Sequence, residues 1–519
     1  MKHGICGIGL QFHLRSPLCN NIPKVQFNCD VAAANRFDFM ERLSKETETP
    51  ETPKNVGKSA TVSKWRKVQA KELGISLRMI SAPTKKVLKE LKLNGFEVYL
   101  VGGCVRDIIL KRTPKDFDII TSADLKEVKR LFFLSKIVGR RFPICHVHID
   151  GTTVEVSSFS THREDYIRYD IPNLKCDKQD LTRWSNCLHR DFTVNGLMYD
   201  PYSKLVYDYF GGLNDIEKSK IRTVIPATRS FEEDCARILR GIRIASRLGF
   251  RLSKETATSM TALSSSILKL DRGRVMLEMN YMLSYGSAEA SLRTLWKLGL
   301  LEILLPIQAA YFVRNRFKRR DQRSNMLLTL FANMDKFFAP DRPSHSCLWI
   351  GLLAFHKAIS ERPRHPRVIA TFFLALRNGG DIAEAVRISG SIRVEPEMSF
   401  PELSDYDVNE FGTIVSEVRK LGRCIHEALG DMISEDFVGE AMAAYPRAPF
   451  SNMVFIPLSL CERTCRVFDW AKNVNDISYR RFPKSRRDFD DQEMSLGRLA
   501  EVRHLFARIV INTIYPIKG

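Results

Sequence analysis

The stretch FEVYLVGGCVRDIILKRTPKDFDIIT, Phe96 to Thr121, decides how the rest of the chain reads. Apart from Glu97, Phe96 to Val101 is apolar and rich in β-branched and aromatic residues, the composition of a strand. Gly102 and Gly103 follow, then a helix opening at Cys104, and then Asp116-Phe117-Asp118 entering a second strand. Glycines let a backbone approach a phosphate closely, and the N–H groups at a helix opening point at the anion. Residues two apart in a strand share a face, so the spacing predicts that Asp116 and Asp118 present both carboxylates to one point. Two hard oxygen donors on one edge suit a magnesium ion. A phosphate cradle beside a metal clamp points to nucleotidyl transfer.

Working outward, helical periodicity is expected from near Ser63 and again from Pro83, where Val87, Leu88 and Leu91 form a stripe ending at Asn94-Gly95. A short helix is expected over Asp124 to Phe133. Phe142 to Ile149 and Thr152 to Phe159 alternate apolar and polar across Asp150-Gly151, a hairpin signal. In that hairpin Val154 and Val156 point to the core and leave Glu155 on the other face, where it meets the Asp pair if the hairpin packs beside their strand. From Phe231 onward the pattern is helical. Leu239, Ile242, Ile244, Ala245 and Leu248 form the first strong apolar set, and Met260, Leu263, Ile267 and Leu268 continue it. Further helices are expected over Ala288 to Leu305, Met326 to Phe338, Ser346 to His356 and Val368 to Leu376, with a break near Ser389 to Asp405.

The chain has 519 residues, 44% of them hydrophobic, and a formal net charge of +20. That charge favours a polyanionic partner, with nucleic acid first, because Lys and Arg gain affinity by releasing condensed counterions. Twelve cysteines occur without a Cys-x-x-Cys pair, so neither a zinc knuckle nor a disulfide framework is indicated. No apolar run is long enough to predict a membrane span. Residues 1–37 carry Lys2, Arg15, Lys24 and Arg36 against the single acid Asp30, a composition like that of an organellar transit peptide, with an ordinary disordered terminus as the alternative. Mitochondrion or chloroplast is therefore the expected location, with nucleus or cytoplasm as the alternative. Residues 41–62 read as a linker. Two basic runs with an internal aromatic, Arg314 to Arg323 around Phe317 and Tyr479 to Arg487 around Phe482, have the composition of RNA-gripping segments or of solvated loops.

Taken together, Leu100 to Asp107, the Asp116/Asp118 pair, Val154 to Val156, His189-Arg-Asp-Phe-Thr-Val-Asn195, Asp208 to Asp215 around Gly211-Gly212, and Glu233-Asp-Cys-Ala-Arg237 resemble the class II poly(A) polymerase and CCA-adding nucleotidyltransferase family. The resemblance spans about residues 83 to 300 and lies in the order and spacing of these short motifs. It implies an α+β chain: a small mixed-sheet nucleotidyltransferase head followed by an all-α neck, body and tail. The expected division is a disordered N-terminus over 1–62, the head over 63–188, a nucleotide-selecting neck over 189–285, and an RNA-binding body and tail over 286–390 and 391–519. The implied reaction is attack of an RNA 3′ hydroxyl on the α-phosphate of a nucleoside triphosphate, helped by two magnesium ions.

Carried onto this sequence, the resemblance gives Asp116 and Asp118 the metals and makes Glu155 the third carboxylate, beside the RNA terminus. Gly102, Gly103 and Arg106, with the neighbouring Asp107, would cradle the triphosphate; as plain residues, Arg106 and Asp107 read as a helix-surface pair. Arg190, Asp191 and Asn195 would contact ribose and triphosphate; alone they read as a turn before a strand. Glu233, Asp234 and Arg237 fall at helical spacing, so Asp234 and Arg237 would share a face and read a base edge, one offering acceptors and the other a fork of donors. Arg240 and Arg243 continue the basic face. Two positions depart from the family pattern: His189 stands where a second Arg is usual, and Gly196 replaces Ala. Ile137 to Val147 resembles the signature of bacterial-type poly(A) polymerases, which favours AMP addition from ATP to the 3′ ends of mRNA or tRNA by a monomer. CCA addition to tRNA is the runner-up. An RNA-binding protein on a scaffold with weakened catalysis is the third reading.

Overall fold

The computed structural model describes residues 65–139, 143–162, 177–445, 448–469 and 496–516. The transit-peptide and linker segments, Arg140 to Phe142 of the signature stretch, and the basic run Tyr479 to Arg487 lie outside the described residues.

An 8-stranded mixed sheet forms the head. In chain order its strands are β1 (Arg66–Gln69), β2 (Val98–Val101), β3 (Asp118–Thr121), β4 (Ser135–Val138), β5 (Ile144–Ile149), β6 (Thr152–Ser158), β7 (Leu197–Asp200) and β8 (Leu205–Asp208). Across the sheet they run β1-β8-β7-β2-β3-β6-β5-β4. All neighbours are antiparallel except β3 and β6, which pair in parallel. Both faces of the centre are covered. Leu100, Ile119 and Val156 pack on one side, Tyr99, Val101 and Ile120 on the other, which is why β2 is apolar at every position. The second face is closed by the Lys178–Leu188 helix through Trp184 and Leu188.

Two expectations need correction. Residues near Ser63 do not start a described helix: Arg66–Gln69 is an edge strand paired with β8. Its sequence is polar at three of four positions, and only the partner strand defines it. The division expected at residue 189 falls inside the head, because β7 and β8 belong to the same sheet as β2. The hairpin is as expected: Asp150 and Gly151 both take positive φ, 49° and 71°, the backbone of a tight two-residue turn.

Beyond Phe231 the described chain is almost entirely helical, with one two-residue strand at Arg251–Leu252. Leu239, Ile242, Ile244, Ala245 and Leu248 are all buried on the Ala236–Leu248 helix, whose C-terminus closes at Gly249 in the left-handed region. Further helices cover Arg272–Leu283, Ala288–Lys297, Met326–Asp335, Ser346–Glu361 and Pro366–Arg377. After Ile382–Gly390 the helices pause until Phe411, spanning the predicted break. No described helix is long and apolar enough to cross a membrane.

Candidate active site

Three neighbouring strands build the floor of a cleft of about 600 Å³. Val101, at the end of β2, lies opposite Asp118, which opens β3, and Asp118 in turn lies opposite Glu155 on β6. Register partners point to the same side of a sheet, so the two carboxylates face the cleft while Ile119 and Val156 enter the core. Asp116 also lines the cleft. It does so from the bend before β3, so its convergence with Asp118 comes from the loop and not from strand periodicity.

Gly102 sits at the head of this arrangement with φ 76°. A Cβ there would lie 3.1 Å from Arg190 Nη1 and 3.3 Å from Asp118 Oδ2, so a side chain would add crowding at the two charged groups to the strain of the positive φ. Gly103 opens the Gly103–Ile109 helix with ordinary backbone angles.

The Asp118 carboxyl is pushed up to about 6, first by burial and then by the charges of Glu155 and Asp116, with Arg190 opposing. Negative charge is thus in excess, the condition a divalent cation relieves. Among the described residues no group of three or more His, Cys, Asp or Glu is placed to hold a metal ion together. Asp116 and Asp118 therefore offer the cleft two carboxylates, a donor set that fits a hard divalent cation whose other positions water and phosphate oxygens would fill. Glu155 stands beside this pair, its Oε1 3.7 Å from His146 Nε2 on β5.

Arg106 and Asp107 are not a helix-surface pair: both are buried. Arg106 Nε and Nη2 donate to Asp107 Oδ1 at 2.9 and 2.7 Å, and Nη1 donates to Asn195 Oδ1. Asn195 passes the connection on through Nδ2 to Asp191 Oδ1 at 3.0 Å, and Arg240 Nη1 lies 3.2 Å from Asp191 Oδ2. Burial works to raise the Asp191 carboxyl, but Arg240, the Asn195 amide and the Phe192 N–H outweigh it and hold it below its ordinary value. Five residues from three segments therefore form one buried network whose polar edge lines the cleft.

Glu233, Asp234 and Arg237 do not share a helix. The Ala227–Glu233 helix ends at Asp234, which is extended at φ −150° and ψ 98°, and Arg237 lies in the first turn of Ala236–Leu248. Asp234 and Arg237 still both line the cleft. Glu233 does not: it sits 3.5 Å from Arg237 Nη1 and 3.4 Å from Arg229 Nε as an exposed ion-pair partner. Arg237 also donates to Ser230 Oγ at 2.9 Å and to the His189 carbonyl at 3.1 Å, which fixes its fork. His189 caps the preceding helix, and because a carbonyl only accepts, its Nδ1 carries the proton donated to Ser185 O at 2.8 Å.

The residues missed in the sequence are Arg247, Lys115, Tyr281 and Tyr285, all lining the cleft. Arg247 had a signal: Arg237, Arg240, Arg243 and Arg247 recur at three- and four-residue intervals, one face of a helix. Burial lowers the Arg243 and Arg247 guanidinium groups, and neighbouring arginines add to this. Arg190 and Arg247 each keep a buried Nε without a hydrogen-bond partner among the described residues. Crowded cations facing a carboxylate pair suit a metal-bound polyphosphate.

Asp208 to Asp215 serves structure. The buried Asp208 accepts backbone N–H bonds from Phe210, Gly211, Gly212 and Leu213, and Asp215 binds Thr193 and Arg222. In the basic run Arg314 to Arg323, the aromatic and two of the arginines have partners within the fold, while Arg314, Arg316, Lys318 and Arg320 are exposed. Phe317 is buried, Arg319 lies over Trp296 at 3.7 Å and pairs with Glu302, and Arg323 pairs with Asp321.

A cleft that joins a carboxylate pair, a glycine turn and a row of arginines on a mixed sheet is that of a nucleotidyltransferase head. The family model for the poly(A) polymerase head domain matches residues 98–222, and that for the probable RNA and SrmB-binding site of polymerase A matches 249–312. A CCA-adding enzyme of Streptococcus gordonii is 31% identical over 327 residues, 62% of this chain and 75% of that enzyme. Poly(A) polymerase I of Haemophilus influenzae is 30% identical over 303 residues, covering 57% of this chain and 64% of that enzyme. An Escherichia coli poly(A) polymerase I is 33% identical, with 53% of its length covered, so the match takes in between half and two thirds of these polymerases. The solved CCA-adding enzyme of Bacillus stearothermophilus in complex with CTP is 22% identical with a TM-score of 0.43, over 75% of this chain and 92% of that one. The chain belongs to the poly(A) polymerase and CCA-adding nucleotidyltransferase family.

Proposed function

We propose that this protein adds AMP from ATP to RNA 3′ ends without a template. The observation that carries the reading is the register of Asp118 and Glu155 beside Gly102 and Arg190, facing the arginine row of the Ala236–Leu248 helix. Asp116 and Asp118 would hold magnesium, which supplies charge neutralisation at the phosphates and activates the attacking hydroxyl. Arg190 and Arg247, each with an unpartnered Nε, would take the triphosphate oxygens. The Arg106–Asn195–Asp191 network keeps Arg240 aimed into the cleft. Asp234 and Arg237 would read the base edge, and Glu155 would lie beside the RNA terminus. The 3′ oxygen forms the new bond to the α-phosphorus as pyrophosphate leaves.

CCA addition is the second reading, supported by the relative with the fuller match, a CCA-adding enzyme. The signature-like segment from Ile137 to Val147 and the poly(A) polymerase I relatives favour AMP addition. Purified protein incubated with magnesium, RNA and labelled ATP or CTP decides between them. Homopolymeric A tails are expected. Strict C-C-A on tRNA establishes the second reading, and binding without extension of any RNA overturns both.

A further inference from the structure

Tyr281 and Tyr285 stand at the cleft with their rings half-buried, centroids 5.2 Å apart and tilted by 53°. Tyr281 comes from the Arg272–Leu283 helix and Tyr285 from the turn just after it. The turn is rigid: Ser344 N–H donates to Ser284 O at 2.9 Å, and Gly286, at φ 76°, packs where a Cβ would meet the Phe338 carbonyl oxygen at 2.3 Å. Among the described residues neither phenol hydroxyl has a hydrogen-bond partner, so what these residues offer the cleft is ring surface. Two cations cover it. Lys115 Nζ lies 5.6 Å from the Tyr281 centroid and 5.1 Å from that of Tyr285, and Arg243 Cζ lies 4.9 Å from Tyr281. Arg243 is itself steadied by Glu278, one helical turn before Tyr281, at 3.2 Å.

We infer that Tyr281 and Tyr285 form a stacking platform for the 3′-terminal base of the RNA, with Lys115 moving from the rings to an RNA phosphate as the base arrives. Every base has a π face, so such a platform positions without selecting. The rings belong to the RNA and not to the incoming nucleotide because of their place along the arginine row. Arg237, beside Asp234, lies six residues from Arg243, about 9 Å along a helix at 1.5 Å per residue. At the other end of the platform Lys115 is bonded to Asp116, so a base on these rings carries its ribose toward the carboxylates that the attacking 3′ hydroxyl must reach. The inference rests on the proposed RNA 3′-end reaction and assigns positioning roles within it.

The test uses the full chain and a short single-stranded RNA ending in 2-aminopurine, whose fluorescence falls on stacking, without metal or ATP. Binding is expected to quench the probe. Tyr281→Ala with Tyr285→Ala should abolish the quench and raise the KM for RNA about tenfold, with the KM for ATP within about twofold of the parent. Tyr281→Phe with Tyr285→Phe should keep both, since the rings remain. A quench that survives the double alanine variant, a parent that gives none, or a rise in the ATP KM instead of the RNA KM overturns the platform. If the parent quenches through these tyrosines yet extends no RNA, the platform stands and the proposed reaction falls.

Discussion

The cleft of the head and the interior of the helical region both hold buried charge, but they hold it differently. In the helical region several cations have close partners, although Arg364 and Arg367 each keep an Nε without a hydrogen-bond partner among the described residues and burial raises Asp335 to about 6. Lys357, almost fully buried, lies 2.7 Å from both Glu361 and Asp431, Arg364 lies 2.6 Å from Glu417, and Arg503 donates to the carbonyls of Val467 and Arg466. In the cleft, Asp118 is held against its preference, and Arg190 and Arg247 keep donors without partners. What sets the cleft apart is that carboxylates and a row of arginines crowd one open space, where a charged ligand completes the balance.

The largest expected effect that would break this contrast is at Asp118. Asp118→Asn should lower RNA extension on the order of a thousandfold, measured with labelled ATP, since several kcal/mol of metal-assisted stabilisation is lost at 1.36 kcal/mol per tenfold. The same substitution should raise the stability of the metal-free protein by about 1 to 2 kcal/mol in urea, because a carboxyl raised to about 6 costs stability at neutral pH, a cost reduced where water reaches the group. Loss of stability in that variant would mean the cleft is balanced after all. Next, Lys357→Ala should destabilise by about 3 kcal/mol, leaving two acids without their cation, while kcat of the folded protein at low temperature stays unchanged.

A pH titration sharpens the comparison by sign. His345 and His504 are pushed down to about 4 from 6.5, by burial first and by nearby arginines second. Their folded pKa lies below the unfolded one, so their contribution is fully present above pH 6.5 and is lost as the pH falls toward 4. Asp118 and Asp335, both raised to about 6, act in the opposite direction and gain as the pH falls through that value. His345 Nδ1 accepts the Cys347 N–H, so His345→Asn keeps an acceptor for the helix start and should flatten the acid limb of Tm against pH. An unaltered limb would show that His345 titrates as in the unfolded chain. The smallest effect is expected at Arg247: Arg247→Ala should weaken ATP binding about tenfold, roughly 1.4 kcal/mol, measured by titration with ATP, while RNA binding stays as in the parent.

The central strands, the hairpin turn and Glu155 were legible because each rests on a local rule: alternation by two, a positive φ, an apolar run. Asp234 and Arg237 were legible as residues but not as geometry. The chain leaves the helix at Asp234-Cys235 without glycine or proline to announce it, and Glu233 was carried into the cleft group by a helical spacing that does not exist there. The edge strand Arg66–Gln69 was illegible because its partner lies at Leu205–Asp208. Lys115 and the tyrosines lie 166 and 170 residues apart in sequence, and only tertiary packing brings them together.

The one parallel pairing within the 8-stranded head sheet, β3 with β6, ties correctness of the core to correctness of the chemistry. β6 is held in register on both sides, Glu155 opposite Asp118 and opposite His146. A slip by one residue would turn Glu155 inward and expose Val154 and Val156, replacing two buried valines with a buried carboxylate. The sheet therefore inspects its own active site as it folds: a chain that has buried those valines has already delivered the glutamate, and a chain that has misplaced the glutamate lacks the stability to persist.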